Sequence, residues 1–549
     1  MMRRDRKDPM NAPSDSGPPV IGGPLLVKLD GSTSSLSRDI LGSKAFGINE
    51  MRRHNLPVPP AFCLTTAVCT EYLRTGSSIL DRVWSDVMAM MRWLEAETGR
   101  TFGAGPRPLL VSVRSGAAQS MPGMLDTVLN LGVNEIVETS LAASAGSDFA
   151  DDLRRRFTES YQRIVLGQNS GAVPVDPQRQ LRGAIEAVLG SWHSERAITY
   201  RRHHRLGDDG GTAVVVQAMV FGNLGTDSGT GVLFSRNPAT GDSAPFGEWL
   251  RRGQGEDVVS GTSDVAPLSA LASELPAVYE QLLDLGGVLE RLRADPQDIE
   301  YTVENGRLWL LQTRSAKRSA QAAVRWALQL YDEGHITAAE ALGRVTSDHI
   351  DTVLAPALQP EIRLAAPLLA RGLAAAPGVA AGRAYADVDD AIDAAGAGEE
   401  VILVRAATSP DDIHGMIAAA GIVTETGGAT SHAAVVSREI GRPTVVGCGP
   451  GVSDSIVGRL VTVDGDAGEV REGILPVSAW SEDDHPDLRR LRALVMAHTT
   501  FRAHHRGDFP ALHDIDSTTV AEALASGHTE VVCSRPLAAM LTAAQLKLT

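Results

Sequence analysis

Lysine is almost missing from this chain. Lys7, Lys28, Lys44, Lys317 and Lys547 are the whole set, in a Lys+Arg total of 51. A lysine inside a motif is therefore informative, and Lys44 is inside one. Cysteine is scarce too. Cys63, Cys69, Cys448 and Cys533 show no Cys-x-x-Cys spacing, which argues against a paired-cysteine framework and for a reducing, cytoplasmic setting. No apolar run is long enough to span a bilayer. The start, MMRRDRKDPMNAPSDSGPPVIGG, lacks the apolar core of a signal peptide, so residues 1–22 are expected to be a disordered tail. Net positive charge is absent as well. At −16 the overall field repels nucleic acid and anionic membrane, and an anionic substrate would need local basic groups and metal to hold it.

What is present begins with TETGGATSHAAVVSREIGRPTVVGCG at 424–449. Gly427 and Gly428 permit a tight loop. Thr430 and Ser431 are good N-cap residues. A helix begins beside them and is stopped by Gly441 and Pro443, and Thr444–Val446 reads as a strand. His432 falls in the first turn, among backbone N–H groups without intrahelical partners and at the positive end of the helix dipole. An imidazolium is disfavoured there, and a phosphoryl group on the ring is welcomed. A lone histidine is more often an ordinary surface or core residue, and no second ligand falls at a metal spacing such as i, i+4.

Three stretches toward the other end carry charge in a pattern. In GSKAFGINEMRRHNLPVP, Lys44 follows a Gly-Ser turn and opens a helix ended by Pro57, where it could meet phosphate as a point charge. In LLVSVRSGAAQSMPGMLDTVLNLG a strand delivers Arg114 to a Ser-Gly loop suited to a phosphate lid. In DIEYTVENGRLWLLQTR, Asp298 and Glu300 share one strand face, and Gln312 and Arg314 share a face of the next. A two-residue Asn305-Gly306 turn would put the two pairs on opposite sides. A three-residue loop from Glu304 to Gly306 would pair Asp298 with Gln312 and align all four, as Mg²⁺-nucleotide chemistry requires, and that loop is the expectation. A half-solvated hairpin is the plainer alternative.

GGATSHAAVVSREIG resembles the phosphohistidine motif of the pyruvate phosphate dikinase family, matching every fixed position through Arg438. VSVRSGAAQSMPGMLDTVLNLG, VVVQAMVFGNLGTDSGTGVLFSRNPATG, GEWLRRGQGEDVVSG and the hairpin resemble its nucleotide domain, in the family's order, over about residues 24–475. The implied architecture is multidomain α+β and α/β. It comprises an ATP-grasp domain at 23–318 in two subdomains split near 205, a helical connector at 319–372, and a phosphohistidine swivelling domain of β/β/α type at 373–475. A small C-terminal α/β region of unknown role, expected as an acidic linker, an Arg-rich helix and helix–strand–helix, occupies 476–549.

By the same resemblance Lys44, Arg114 and Arg314 bind phosphates, with Arg156 a weaker candidate. Glu300 and Gln312 ligate Mg²⁺ beside Asp298, and Gln217, Glu248, Gln254 and Glu256 belong to the nucleotide pocket. His432 would take the β-phosphoryl of ATP while inorganic phosphate takes the γ-phosphoryl, with Arg114 and Arg314 assisting. Thr430 matches a regulatory phosphorylation position, although a helix cap explains it equally. The family continues into a (β/α)₈ barrel of roughly 200 residues or more. Residues 476–549 do not supply one, so pyruvate or another acceptor is expected to be presented by a separate partner chain. A silent nucleotide-binding regulator and an antibiotic-type phosphotransferase are the competing functions. The oligomeric state, a homodimer included, is left open.

Overall fold

The computed structural model describes residues 23–548 except 34, 120, 122–123, 168–170, 204–205, 208–209, 260–264, 429, 479–480 and 484. The expected 1–22 tail and subdomain split near 205 lie outside the described residues.

Two antiparallel five-stranded sheets form the first half. One orders Leu26–Lys28, Ala61–Leu64, Thr212–Ala218, Val111–Ala117 and Thr127–Leu131. Its central strands read as continuous apolar runs because helices cover both faces; Ala61–Leu64 and Thr212–Ala218 are buried throughout. The other orders Ala266–Pro267, Phe246–Arg251, Gly229–Phe234, Gln297–Glu304 and Arg307–Ser315.

The hairpin of this second sheet departs from expectation in an instructive way. Glu304 pairs with Arg307, so the turn has two residues, and both Asn305 (φ 50°) and Gly306 (φ 72°) adopt the left-handed conformation. That turn alone would have turned the charged pairs to opposite faces. A bulge intervenes: Tyr301 pairs with Leu310 but Glu300 pairs with Gln312, leaving Leu311 as the extra residue. Asp298 then pairs with Arg314 rather than with Gln312. The four side chains share a face, by a bulge and not by a longer loop.

Helices Ala320–Asp332, Ala338–Gly343, Ser347–Val353 and Pro360–Ala365 follow. Residues Leu368–Arg371 are not helical connector as expected. They form an edge strand of the next sheet, paired with Glu469–Glu472. That eight-stranded sheet has a parallel centre, Val379–Tyr385, Val401–Arg405, Gly421–Thr424 and Thr444–Val446. Helix His432–Ile440 is the crossover between the last two strands, so His432 sits just beyond the carboxyl end of a central strand, where α/β sheets place their ligands.

Residues 486–548 run helix Pro486–His498, strand Arg502–His504, helix Ser517–Ala525, strand Glu530–Val532 and helix Pro536–Leu548. The Arg502–His504 strand was not anticipated; it pairs in parallel with Glu530–Val532. Val324, Leu328, Leu342 and Ile350 of the connector share one apolar core with Leu488, Leu491, Val495, Leu537 and Leu541, so connector and C-terminal region fold as one unit.

Candidate active site

A cavity of about 920 Å³ lies between the two five-stranded sheets and is closed on one side by the eight-stranded domain. Lys44, Arg114, Gln217, Gln254, Glu256, Glu300, Gln312 and Arg314 line it, together with Thr430 and His432 from the other domain. Residues nearly 400 positions apart in sequence thus face one space.

Lys44 arrives through a break in helix Arg38–Arg53. Gly42 inside that helix has φ 72°, and a Cβ there would overlap the Gly116 carbonyl, so glycine is required for the helix to approach the Val111–Ala117 strand. The helix ends at Arg53, before Pro57 is reached. Burial, then Arg114, bring the Lys44 ammonium down to about 7, with Glu300 opposing. Arg114 belongs to the strand itself, which continues through Ser115-Gly116 rather than ending in a loop there. Its guanidinium donates to Glu300 Oε2 at 2.8 Å.

Asp298 is buried behind the cavity wall and holds Arg314 through Nε at 2.7 Å. Burial pushes the Asp298 carboxyl up, against Arg314. Burial also acts upward on Glu300, but Arg114, Arg314 and Lys44 outweigh it and keep that carboxyl below its ordinary value. Gln312 Nε2 donates to Glu300 Oε1 at 3.3 Å. Its own Oε1, like Asp298 Oδ1, is buried without a hydrogen-bond partner. Two hard oxygen acceptors on one face, Glu300 and Gln312, fit Mg²⁺, which prefers few protein ligands and completes its shell with water and phosphate. Among the described residues no group of three or more His, Cys, Asp or Glu could hold a metal without such help.

His432 opens its helix, with Ser431 as the cap accepting from Ala434 N at 3.4 Å. The ring is 8% exposed, and Nε2 has no hydrogen-bond partner. Burial brings it down to about 4, opposed by Asp412 and Asp411. It is therefore neutral at pH 7, as the helix-terminus argument expected, although desolvation is the main cause. Thr430 is not the cap. Its N–H (3.2 Å) and hydroxyl both donate to Glu248 Oε2 across the domain boundary.

Three sequence candidates stand apart from the cavity lining. Glu248 grips the Thr430 loop instead. Asp298 lies behind Arg314. Arg156 is held by Asp257 (2.6 Å) and Asp152 (2.8 Å). Gln217 and Gln254 line the space but spend their amides on Pro59 O (3.2 Å) and Asn223 Oδ1 (3.3 Å). Glu256 makes a long, largely exposed contact of 3.6 Å with Arg163.

Arg163, Arg196 and Asp411 also line the cavity and were missed. Arg196 donates to Asp126 and, at 3.3 Å, to Asp411 of the opposing domain. Asp411 had a readable signal: the Ser409–Asp412 capping box follows the Val401–Arg405 strand, parallel neighbour to the one that leads to His432.

Fold and cavity together define a class: a nucleotide-type cavity wall of arginine, lysine and acid, faced by a neutral histidine on a separate α/β domain. Comparison with known proteins makes the class specific. Residues 38–273 match the family described as pyruvate phosphate dikinase, AMP/ATP-binding domain, and residues 397–468 match that described as PEP-utilising enzyme, mobile domain. The pyruvate, phosphate dikinase of Clostridium symbiosum is 40% identical over 493 aligned residues, covering 79% of this chain and 56% of that protein. That of Rhizobium meliloti is 41% identical over 515, covering 81% and 57%. Pyruvate, phosphate dikinase 2 of Zea mays is 38% identical over 529, covering 84% and 60%. The chain belongs to the PEP-utilising enzymes as a pyruvate phosphate dikinase-like member, and it spans between half and two thirds of the length of these relatives. Among the described residues no helix is long and apolar enough to cross a membrane.

Proposed function

We propose that this chain carries out the nucleotide half of a dikinase reaction: ATP, inorganic phosphate and His432 give AMP, diphosphate and phosphohistidine. The observation that carries the reading is the unpartnered, neutral Nε2 of His432 lining the same cavity as Lys44, Arg114, Glu300, Gln312 and Arg314. In this reading residues 23–318 are an ATP-grasp domain and the eight-stranded unit is a swivelling domain of β/β/α type.

Lys44, Arg114 and Arg314 hold the polyphosphate and neutralise the charge that develops as the β-phosphoryl leaves. Glu300 and Gln312 would hold Mg²⁺, which when bound would add positive charge to that neutralisation. His432, already deprotonated, needs no base: the ring nitrogen forms the N–P bond as the bond to the α-phosphate oxygen breaks, and AMP departs. The γ-phosphoryl passes to inorganic phosphate as diphosphate. The domain then carries the phosphoryl to its acceptor, for which pyruvate, presented by another chain or domain, is our reading by analogy with the named relatives.

The test is a product balance under Mg²⁺. With phosphate present, AMP and diphosphate should form in a one-to-one ratio, up to one equivalent per chain, and without phosphate no diphosphate should form. His432→Ala should form neither. ADP as the product, or turnover indifferent to phosphate, contradicts the reading.

A further inference from the structure

The helix that begins with His432 reaches Glu439 seven residues later, about 10 Å along the axis. A carboxylate there faces the negative end of the helix dipole, where cations are favoured, so helix energetics do not account for it. Its partners lie in other parts of the fold. Oε1 accepts from the Tyr200 hydroxyl at 2.6 Å and from Lys317 Nζ at 2.5 Å. Lys317 follows the strand Arg307–Ser315 that carries Arg314, and the Arg314 guanidinium also feels the Glu439 charge. The Glu439 side chain is 9% exposed, and Oε2 has no hydrogen-bond partner. Burial, then Glu439, push the Tyr200 phenol far above its ordinary value, so it stays a donor. The other end of the same segment is held by Glu248 on Thr430. Two anchors, one before each end of a rigid nine-residue helix, fix its direction as well as its position.

We infer that Glu439 is the positioning residue that seats the His432 helix: its carboxylate is gripped by Tyr200 and Lys317 while the domain is docked, and returns to water when the domain leaves. The inference rests on the phosphohistidine reading for its consequence but not for its geometry. Removing the largely buried carboxylate takes away its bonds to both the Tyr200 hydroxyl and the half-buried Lys317 ammonium, which weakens the docked state more than loss of a fully exposed pair would. Arg314, beside this grip, would couple occupancy of the nucleotide cavity to docking.

Two readouts on the full chain test it. The first is single-turnover transfer from β-labelled ATP to His432. Glu439→Ala should slow it about tenfold or more at saturating ATP, with half-saturation by ATP changed less than about twofold. Glu439→Gln, which keeps the shape and the Tyr200 contact, should fall between Glu439→Ala and the parent. Tyr200→Phe combined with Glu439→Ala should be no slower than Glu439→Ala alone. The second readout ignores chemistry: electron–electron distances between spin labels at the exposed positions Arg179 and Asp454. The parent should give one short population, and Glu439→Ala and Glu439→Gln should add a longer one. Unchanged distances in both variants overturn the inference, and so do shifted distances with unchanged transfer. If the parent itself forms no phosphohistidine, the functional reading fails, and the distances alone then decide whether Glu439 grips the domain.

Discussion

The two walls of the cavity are built on opposite principles. On the nucleotide side the key charges are paired: Arg114 with Glu300, Arg314 with Asp298, and Lys44 brought near neutrality among them. On the facing side the functional atom, His432 Nε2, is paired with nothing. A wall that must bind a polyanion can tolerate mutual pairing, because the pairs fix each guanidinium before the ligand arrives. An atom that must form a bond gains from having no competing partner and no proton. In the proposed reading the difference separates the wall that binds from the wall that reacts.

The sharpest way to break this contrast is to disturb one element in each wall. His432→Asn should abolish transfer to the protein while leaving ATP affinity within about twofold, since the ring belongs to the reacting wall. Equal loss of both would erase the distinction. Inserting one alanine between Leu311 and Gln312 comes next. With the turn and bulge kept, the added residue would stand opposite Glu300 and move Gln312 and Arg314 to the face opposite Asp298 and Glu300. Mg²⁺-dependent ATP binding, followed by calorimetry, should disappear while far-ultraviolet circular dichroism stays close to the parent.

That second experiment also marks where the sequence stopped being legible. Asn305-Gly306 announced its own turn, and the φ values of both residues agree with it. The bulge that corrects the register five residues later leaves no composition signal, because Leu311 is an unremarkable strand residue whose role exists only through the pairing opposite it. The His432 helix was legible because its cap, its stop and its small residues are all local. Glu248 was expected in the nucleotide pocket and instead holds Thr430. Contacts between residues 182 positions apart, and the Tyr200–Glu439 contact across 239, are set by how domains dock and have no local pattern to read. The packing of 476–549 onto the connector was hidden for the same reason.

Smaller effects sharpen the contrast further. Lys44→Ala removes one partial charge from a wall that retains two arginines, so ATP affinity in a fluorescence titration should weaken by about tenfold, on the order of 1.4 kcal/mol. Lys44→Ala with unchanged affinity would take that residue out of the binding wall.

A separate effect is expected in pH. His432 sits at about 4 when folded against an ordinary 6.5, so between those values the unfolded chain takes a proton that the folded chain refuses. Stability from this group is therefore full above about pH 6.5 and is lost as pH falls toward 4, by on the order of 3 kcal/mol at most. Denaturant midpoints of the parent should fall faster over that window than those of His432→Asn. Parallel slopes would mean that the ring is not held neutral by burial.

One measurement reaches the central claim directly: rapid-quench reaction of the chain with ATP labelled at either the β- or the γ-phosphorus, with Mg²⁺ and phosphate, followed by mapping of the bound label. The account predicts acid-labile, alkali-stable β label on His432, with any γ label on the protein passing to diphosphate as phosphate reacts. A γ label that stays on the protein after reaction with phosphate, or β label on a residue other than His432, would contradict it.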